Sequence, residues 1–411
     1  MLKSELLEII ANGENSGVEF KRDDVRPEQL AKEVVALANL QGGHILLGVE
    51  DDGSISGLVR DQEGAQEWVL NTFRDKIHPQ IIPYYEEVMF DNDKRVGVVT
   101  LSAGISKPYT LRHNKREEVY LRMGNRSELA SREQQARLFE QGGMLHVEAW
   151  PVAGSSIDSL DLIRVSHYLE AILGEEEIPE EQEEWIERLS GLGLMVDDGL
   201  GNRVCSIAGL VSFGIQPRRY LKYSGLRLLV FEGIEKEYQA KLDEHLEGPL
   251  VARWHYQETG KRDLIDQGLI EKLVAAIMPF VTAESETLDE HFRRDRVWHY
   301  PYEAIREVCL NALAHRDWTR SIEVEVGVYS DRLEVMSPGA LQNSMTVEKM
   351  KAGQRSPRNY NIMDILRDHG YVDSRGMGIR KKVIPLMKKQ NGTNPVFEVT
   401  EDYVKVILFK K

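Results

Sequence analysis

The alternation of helix and strand signals over the first 140 residues most constrains the fold. Pro27 stands near a helix start, and apolar side chains follow at helical spacing from Leu30 to Leu37. The next stretch, QGGHILLGVEDDG, has a glycine pair, a short apolar run and an Asp-Gly turn, which together indicate a strand. Further strands are predicted at 87–89, 95–101 and 119–123. We therefore expect an α/β domain over residues 1–140.

The length of 411 residues predicts two or three domains, because single cores stop growing at roughly 250–300 residues. A mixture of Pro, Gly and Ser at 150–156 predicts a linker, with Ser or Asp capping the next helix. We expect a helical acidic linker region at 141–200 and a second domain at 201–411, so the predicted fold class is multi-domain α/β (α+β). In the second domain, a helix is predicted at 263–281 and strands at 204–214, 225–233, 322–330, 332–337 and 403–411.

The composition favours a globular protein of the cytoplasm with one basic region. Apolar residues make up 42% of the chain and charged residues 29%, and no run approaches the roughly 20 apolar residues of a membrane span. Cys205 and Cys309 fit neither a disulfide framework nor a zinc spacing. The net charge of −15 argues against a histone-like surface. The interval from Lys94 to Arg132, however, contains nine Lys or Arg and only three Glu. That interval is a candidate nucleic-acid contact, and two solvated faces of opposite charge are the alternative.

The sequence ENSGVEFKR contains a candidate metal site. On a strand, Glu19 and Lys21 share one face, while Val18 and Phe20 share the other. Asp51 follows the next predicted strand, so neighbouring strands would bring it beside Glu19. Converging carboxylates are the oxygen ligands of Mg²⁺ or Mn²⁺, and such ions activate water for phosphodiester cleavage. The alternative is an ordinary cross-face salt bridge between Glu19 and Lys21.

Residues 10–140 resemble the Schlafen-type AlbA-like domain through ENSGVEFKR, VVALANLQGGHILLGVEDDG, KPYTLR and EEVYLRMGNRSELASREQQARLF. The resemblance implies that Glu14, Glu19 and Asp51 bind a divalent metal and cleave structured RNA such as tRNA, with Lys21 as a phosphate partner. Many bacterial proteins with this domain resemble transcription regulators instead. Both functions therefore stay open at this point.

The basic interval carries aromatic residues among its cations, a pattern that suits phosphate contacts combined with base stacking. Tyr109 and Tyr120 are the interleaved aromatic residues. A hairpin kept in solution by its charge is the alternative. The candidate nucleic-acid contacts are Lys107, Arg112, Lys115, Arg116, Arg122 and Arg126.

A second polar cluster lies on the predicted helix that begins near Pro301. Glu307, Asn311 and His315 are spaced by four residues, so successive members are offset by about 40° and all three lie within about 80° on one helix face. A nucleotide pocket would use Glu307 to polarise water and Asn311 to hold Mg²⁺ against the phosphates. A polar stripe facing solvent is the alternative.

Downstream motifs resemble the divergent GHKL (Bergerat-type) ATPase domain, an α/β sandwich. The resemblance rests on the Glu307–Asn311 spacing, on the turn SPGAL with Ser337 and Gly339, and on the stretch RGMGI with Gly376 and Gly378. The resemblance implies ATP as a ligand. Ser337 stands where that family places an Asp that reads the adenine amino group, so ATP turnover is not implied. No Walker-type phosphate loop is present in the sequence.

The leading functional hypothesis is a nucleic-acid-binding protein with Mg²⁺- or Mn²⁺-dependent endoribonuclease activity, with RNA favoured over DNA. Its second domain would sense ATP or mediate homodimerisation. Family analogy adds a role in stress or phage defence. The alternatives are a non-catalytic ATP-binding transcription regulator that binds DNA and a scaffold in which both sites are vestigial.

Overall fold

The computed structural model describes residues 1–90, 93–104, 106–256, 262–288, 294–342, 345–354, 356–372 and 377–410. The chain divides into two compact units, Met1–Leu145 and His146–Lys411. The predicted multi-domain α/β fold is confirmed by these units, each of which combines helices with sheets. The acidic segment that we expected as a region of its own lies almost entirely within the second unit.

The first unit alternates helices and strands along the chain. Its elements are α1 (Lys3–Asn12), β1 (Val18–Lys21), α2 (Pro27–Asn39), β2 (Gly42–Leu47), α3 (Gln62–Lys76), β3 (Ile77–His78), β4 (Tyr84–Met89), β5 (Arg95–Ser102), β6 (Thr110–His113), β7 (Arg116–Glu118), β8 (Tyr120–Met123), β9 (Arg126–Leu129) and α4 (Arg132–Gln141).

The main sheet of the first unit has the strand order β1-β2-β5-β4 among the described residues. Strands β1 and β2 are parallel, and the other neighbours are antiparallel. Val18 and Phe20 pack with Leu6 of α1 on one side of this sheet, as the alternation in β1 predicts. Helix α2 covers the other side, where Ile45 is buried against Leu30. Glu19 therefore points toward the α2 side of the sheet.

Two small hairpins are attached to α2 through its last residue. The Asn39 side chain donates to the carbonyl oxygens of Tyr109 and Tyr120 at 2.9 and 3.0 Å, and it accepts the Tyr109 N–H at 2.7 Å. One amide side chain thereby satisfies backbone groups on both sides of the β6–β7 hairpin. This anchor places the β6–β7 and β8–β9 hairpins beside the main sheet.

The second unit also mixes helices and strands. Its elements are α5 (Leu162–His167), α6 (Gln182–Gly191), β10 (Met195–Asp197), β11 (Arg203–Cys205), α7 (Ile207–Phe213), β12 (Leu226–Val230), β13 (Leu242–Leu246), β14 (Arg253–Tyr256), β15 (Arg262–Asp266), α8 (Leu269–Val281), β16 (Thr282–Leu288), β17 (Arg294–Trp298), α9 (Tyr302–Ala314), β18 (Val324–Val328), β19 (Arg332–Pro338), α10 (Val347–Lys351), α11 (Tyr360–Asp368), α12 (Ile384–Asn391), β20 (Val396–Val399) and β21 (Tyr403–Phe409).

The largest sheet of the second unit has the order β13-β12-β18-β19-β21-β20 in the described part of the chain. Strands β12 and β18 are parallel, and the remaining pairs are antiparallel. Helix α9 packs on this sheet and buries Ile305, Val308 and Leu313. A π-helical segment, Gly378–Val383, leads directly into α12 and packs beside α9. These elements frame the candidate site of the second unit.

The prediction of a strand at 204–214 was wrong for most of that segment. Ile207–Phe213 is a helix whose first turn is capped by Ser206, which accepts the Gly209 N–H at 3.0 Å. Every residue of this helix is buried, so its apolar run shows no 3.6-residue period and reads like a buried strand. Likewise, the helix predicted at 263–281 begins only at Leu269.

Two further observations concern composition. No helix in the described ranges is both long and apolar enough to cross a bilayer. Cys205 and Cys309 are both buried, free thiols. Burial raises the pKa of each thiol, to about 11 for Cys205 and about 12 for Cys309, so neither is a ready nucleophile.

Candidate functional sites

The first candidate site lies on β1. Glu19 and Lys21 share a face of the strand, and the Lys21 ammonium contacts Glu19 Oε1 directly. Lys21 also donates to the carbonyl oxygen of Phe20 at 3.0 Å. Glu14 turns back toward the same strand, where its Oε1 accepts the Phe20 N–H at 2.8 Å. The structure thus brings Glu14, Glu19 and Lys21 together around one short strand.

The buried partner of Glu19 is Arg122 of β8, whose side chain has no solvent exposure. Arg122 Nη2 lies 2.5 Å from Glu19 Oε2, and Arg122 Nη1 lies 3.0 Å from Glu33 Oε2. The guanidinium also donates to the carbonyl oxygens of Asn15 and Val18 at 3.0 and 3.1 Å. One arginine therefore joins β1, α2 and the β8–β9 hairpin.

Glu33 and Ser127 complete this cluster, and the sequence interpretation missed both. The Ser127 hydroxyl donates to Glu33 Oε2, which already accepts from Arg122. Glu33 could have been identified from the sequence, because it lies between Leu30 and Leu37 on the apolar face of α2. A carboxylate in an apolar stripe indicates a buried partner. We call Glu19, Lys21, Glu33, Arg122 and Ser127 the Arg122 cluster.

Glu14 and Asp51 add negative charge beside the Arg122 cluster. Partial burial raises the pKa of Glu14, and the charges of Glu19 and Asp51 raise it further, against the Phe20 N–H and Lys21, which lower it. Asp51 is exposed in the turn after β2. The three predicted acids are therefore electrostatic neighbours.

These acids do not form a metal site as they are arranged. Within the described ranges, no three His, Cys, Asp or Glu side chains converge in a way that could hold a metal ion. Lys21 and Arg122 contact the two carboxylate oxygens of Glu19. The oxygen donors are of the type that Mg²⁺ or Mn²⁺ takes, but Glu19, one of the three predicted ligands, is already paired with two cations.

The predicted nucleic-acid contacts fall into two groups. Arg112, Lys115, Arg116 and Arg126 are exposed on the β6–β7 and β8–β9 hairpins. Arg112 is paired with Glu117 at 2.8 Å across its hairpin. These four side chains form the basic surface of the first unit.

The remaining predicted contacts, Lys107 and Arg122, donate to acceptors within the unit. Lys107 donates to the carbonyl oxygen of Leu40 at 2.8 Å, and Arg122 is fully buried in the Arg122 cluster. Arg122 therefore does not reach a nucleic acid in this conformation, because its donors are used by internal acceptors. Tyr109 is 4% exposed and offers no stacking face, whereas Tyr120 is half-buried with Lys32 over its ring.

The second candidate site is a cavity of about 360 Å³ in the second unit. Its walls come from α9, from β19 and the turn after it, from α11, from β21 and from the start of the Gly378–Val383 segment. Six predicted nucleotide contacts line this one cavity, and Gly376 lies outside the described residues. The six are Glu307, Asn311, His315, Ser337, Gly339 and Gly378.

Glu307 is buried against the cavity and loosely paired. Its Oε1 accepts from the Asn311 amide at 3.3 Å, and its Oε2 lies 3.9 Å from the ammonium of Lys382. Gly378 packs directly on this carboxylate, because a Cβ at that position would lie 1.6 Å from Glu307 Oε1. An alanine at this position would therefore require the Glu307 side chain or the Gly378–Val383 segment to shift. The Asn311 amide donates to Glu307, so its carbonyl oxygen can accept from or coordinate a ligand.

His315 and Ser337 form the other polar part of the wall. Burial lowers the pKa of His315 to about 4, and the Arg358 charge adds to the effect, so the ring is neutral near pH 7. Ser337 donates its hydroxyl proton to the carbonyl oxygen of Ala312 at 2.7 Å. The Ser337 oxygen is consequently an acceptor toward the cavity.

Sequence reasoning missed the contribution of α11, which supplies Tyr360, Met363, Asp364 and Arg367 to the cavity wall. Glu148 fixes the start of this helix by accepting the N–H groups of Asn361 and Ile362 at 3.0 and 3.3 Å. Burial raises the pKa of Glu148 to about 6 despite these bonds. The apolar part of the wall includes Val308, Val335, Leu341, Met345, Val404 and Val406.

Comparison with known families supports the two domain resemblances. Residues 14–131 match the family described as "Schlafen, AlbA_2". The predicted Schlafen-type resemblance is confirmed. Residues 322–408 match the family described as "Putative ATP-dependent DNA helicase recG C-terminal", an HATPase domain, which agrees with the predicted ATPase-like resemblance. The Schlafen AlbA_2 match contains Glu14, Glu19, Asp51 and Arg122, and the HATPase match contains Ser337 and Gly378.

Two solved structures are similar to the chain. The DIP2311 protein from Corynebacterium diphtheriae is 20% identical, with a TM-score of 0.44, over 99% of this chain and 80% of that one. The N-terminal domain of a putative ATP-dependent DNA helicase RecG-related protein from Nitrosomonas europaea is 22% identical, with a TM-score of 0.25, over 31% of this chain and 90% of that one. No curated protein matches the sequence.

The two domain matches support the coarse part of the functional prediction, a nucleic-acid-binding protein with an ATPase-like domain. The geometry of each unit therefore carries the finer proposals.

Proposed function

We propose that this chain is a nucleic-acid-binding protein whose second unit binds ATP in the cavity beside α9. The observation that carries the proposal is the convergence of Glu307, Asn311, His315, Ser337 and Gly378 on one cavity. Its volume of about 360 Å³ falls within the range of small-molecule pockets, roughly 300–1,000 Å³. The cavity has apolar walls with a few polar groups, as such pockets generally do.

The polar groups lie in two parts of the cavity wall, and each part suits a different portion of a nucleotide. Ser337 Oγ is an acceptor toward the cavity, so it suits a donor such as the adenine amino group. Glu307 and Asn311 lie on the same helix face, where Asn311 Oδ1 would coordinate a nucleotide-bound Mg²⁺. That ion would neutralise phosphate charge that otherwise repels Glu307. This division favours a nucleotide over a purely apolar ligand.

Calorimetry of the full chain with ATP and Mg²⁺ tests the proposal. We expect saturable binding that Asn311→Ala weakens about tenfold or more, or about 1.4 kcal/mol. Asn361→Ala is the matched control, because Asn361 lies on α11 but is not part of the cavity wall. Absence of heat up to about 5 mM ATP would refute the ATP site, because even a millimolar site would then be largely filled.

The first unit supplies the nucleic-acid contact in this proposal. Arg112, Lys115, Arg116 and Arg126 form an exposed basic surface on a chain whose net charge is −15. Phosphate contacts of this kind release counterions, so the affinity should fall steeply with salt. We favour RNA over DNA, because the Schlafen resemblance implies structured RNA.

Fluorescence anisotropy with tRNA and with duplex DNA of equal length tests the nucleic-acid part. Tighter binding of tRNA supports the RNA preference, and equal or tighter binding of DNA favours the transcription-regulator alternative. Incubating both ligands with Mn²⁺ or with a chelator tests the predicted cleavage by Glu14, Glu19 and Asp51. Cleavage, the homodimer and a role in stress or phage defence remain predictions.

A further inference from the structure

The Arg122 cluster uses every hydrogen-bonding nitrogen of one guanidinium. Nη2 contacts Glu19 and the carbonyl oxygens of Asn15 and Val18, and Nη1 contacts Glu33. Nε donates to the Asn15 carbonyl oxygen at 3.3 Å. The planar fork of an arginine suits this double carboxylate contact in a way that the point charge of a lysine does not.

The charges within the cluster are already balanced. Glu19 and Glu33 carry two negative charges, and Arg122 and Lys21 carry two positive ones. A divalent ion at Glu19 would need carboxylate oxygens at 2.0–2.6 Å, where it would also meet two cations at contact distance. The ion would therefore have to displace Arg122, Lys21 or both.

Displacing Arg122 is unfavourable for reasons that are visible in its surroundings. Its side chain has no solvent exposure, and Glu33 is 8% exposed. Removing the guanidinium would leave Glu33 and two backbone carbonyl oxygens buried without this donor. Lys21 is freer, since 22% of its side chain is exposed, but its departure opens only one oxygen of Glu19.

We propose that Arg122 is the resident counter-cation of Glu19 and Glu33, and that the first unit binds nucleic acid with no divalent ion at Glu19. The second half of this statement rests on the proposed nucleic-acid binding. The first half stands without it. Under this assignment, Arg122 is a positioning residue that fixes β1 against the β8–β9 hairpin, and Arg126 on the same hairpin remains free to meet phosphate.

Titration of the full chain with Mn²⁺ alone, followed by electron paramagnetic resonance, tests the assignment directly. Asp51→Asn is the diagnostic variant, because Asp51 is exposed and its replacement leaves the Arg122 cluster intact. We expect wild type and Asp51→Asn to bind the same amount of Mn²⁺. A Mn²⁺ site in wild type that Asp51→Asn or Glu14→Gln removes would overturn the proposal.

A second arm asks whether Arg122 occupies the place of a metal. Arg122→Gln leaves Glu19 and Glu33 without their shared cation, so this variant should gain a Mn²⁺ site that wild type and Arg126→Gln lack. A folded Arg122→Gln protein with no added Mn²⁺ affinity contradicts the counter-cation role. Should this variant fail to fold, the wild-type titration still decides the question.

The nucleic-acid arm compares tRNA binding by anisotropy in Mg²⁺ and in chelator at matched ionic strength. We expect dissociation constants within about twofold of each other, because phosphate neutralisation by protein cations needs no bound metal. Loss of binding in chelator would overturn the metal-independent part. If wild type binds neither tRNA nor DNA in either buffer, the proposed function of this unit fails, and the Mn²⁺ titration still tests Arg122.

Discussion

Glu19 and Glu307 are both buried glutamates beside a lysine, yet their surroundings differ. Glu19 is 4% exposed and contacts both Lys21 and Arg122 within a filled cluster. Glu307 is 8% exposed, has its lysine 3.9 Å away and borders a cavity of about 360 Å³. The comparison teaches that burial of a carboxylate does not identify a ligand site. Free space beside the carboxylate does.

The largest expected effect is the loss of Arg122. Replacing it by Gln leaves two buried carboxylates without their cation, and breaking a buried ion pair in this way costs about 3–5 kcal/mol. Urea denaturation of the full chain measures the change in the free energy of unfolding. Arg126→Gln on the same hairpin is the control, with an expected change within about 0.5 kcal/mol. A decrease of less than about 1 kcal/mol in the free energy of unfolding of Arg122→Gln would contradict the role of Arg122 as the buried counter-cation of Glu19 and Glu33.

The cavity of the second unit should respond to acid through His315. The pKa of His315 is about 4 in the folded protein against an ordinary value of 6.5, so the unfolded chain takes up a proton first as the pH falls. Stability is therefore complete above pH 6.5 and decreases below it, by up to about 3 kcal/mol near pH 4.

Urea denaturation of wild type and His315→Gln over this pH range isolates the His315 contribution, because all other titrating groups are common to both proteins. The wild-type curve should fall more steeply between pH 6.5 and 4. Parallel curves would show that His315 takes up its proton equally in both states.

A substitution at Gly378 tests whether the position of the Glu307 carboxylate matters for stability and for ATP binding. An added Cβ would lie 1.6 Å from Glu307 Oε1, so Gly378→Ala must shift the carboxylate or the π-helical segment. Overpacking of this kind costs about 1–3 kcal/mol, and we also expect weaker ATP binding. Thermal unfolding and calorimetry measure the two effects.

Gly191→Ala on α6 is the matched control, because a Cβ there meets no atom within 4 Å. This substitution should leave ATP binding unchanged and add up to about 1 kcal/mol of stability. If the Gly378 variant binds ATP as tightly as wild type, Glu307 is not part of the ligand site.

The smallest expected effect concerns the basic surface of the first unit. Arg116→Gln should reduce the slope of log affinity against log salt by about 0.7–0.9 for tRNA, because one phosphate contact is lost. Anisotropy at several salt concentrations measures this slope. Arg74→Gln on α3 is the control, since Arg74 is also exposed but is paired with Asp75 and lies outside the hairpins. Equal slopes for both variants would place the contact elsewhere.

Some parts of the sites follow from local spacing. The alternation of Val18, Glu19, Phe20 and Lys21 predicts the two faces of β1, and the core packing of Val18 and Phe20 agrees with it. Parts that depend on distant residues were not predictable. Arg122 reads as a nucleic-acid contact because basic residues surround it in sequence, whereas its partner Glu33 is 89 positions away.

The sequence by itself determined the strand that carries Glu19 and Lys21 and the helix face that carries Glu307 and Asn311, because these features depend on periodicity within one element. Only the tertiary structure decided which of these carboxylates faces free space. Packing of α2 and the β8–β9 hairpin fills the surroundings of Glu19 with Arg122. Packing of α9, α11 and the sheet leaves the surroundings of Glu307 open.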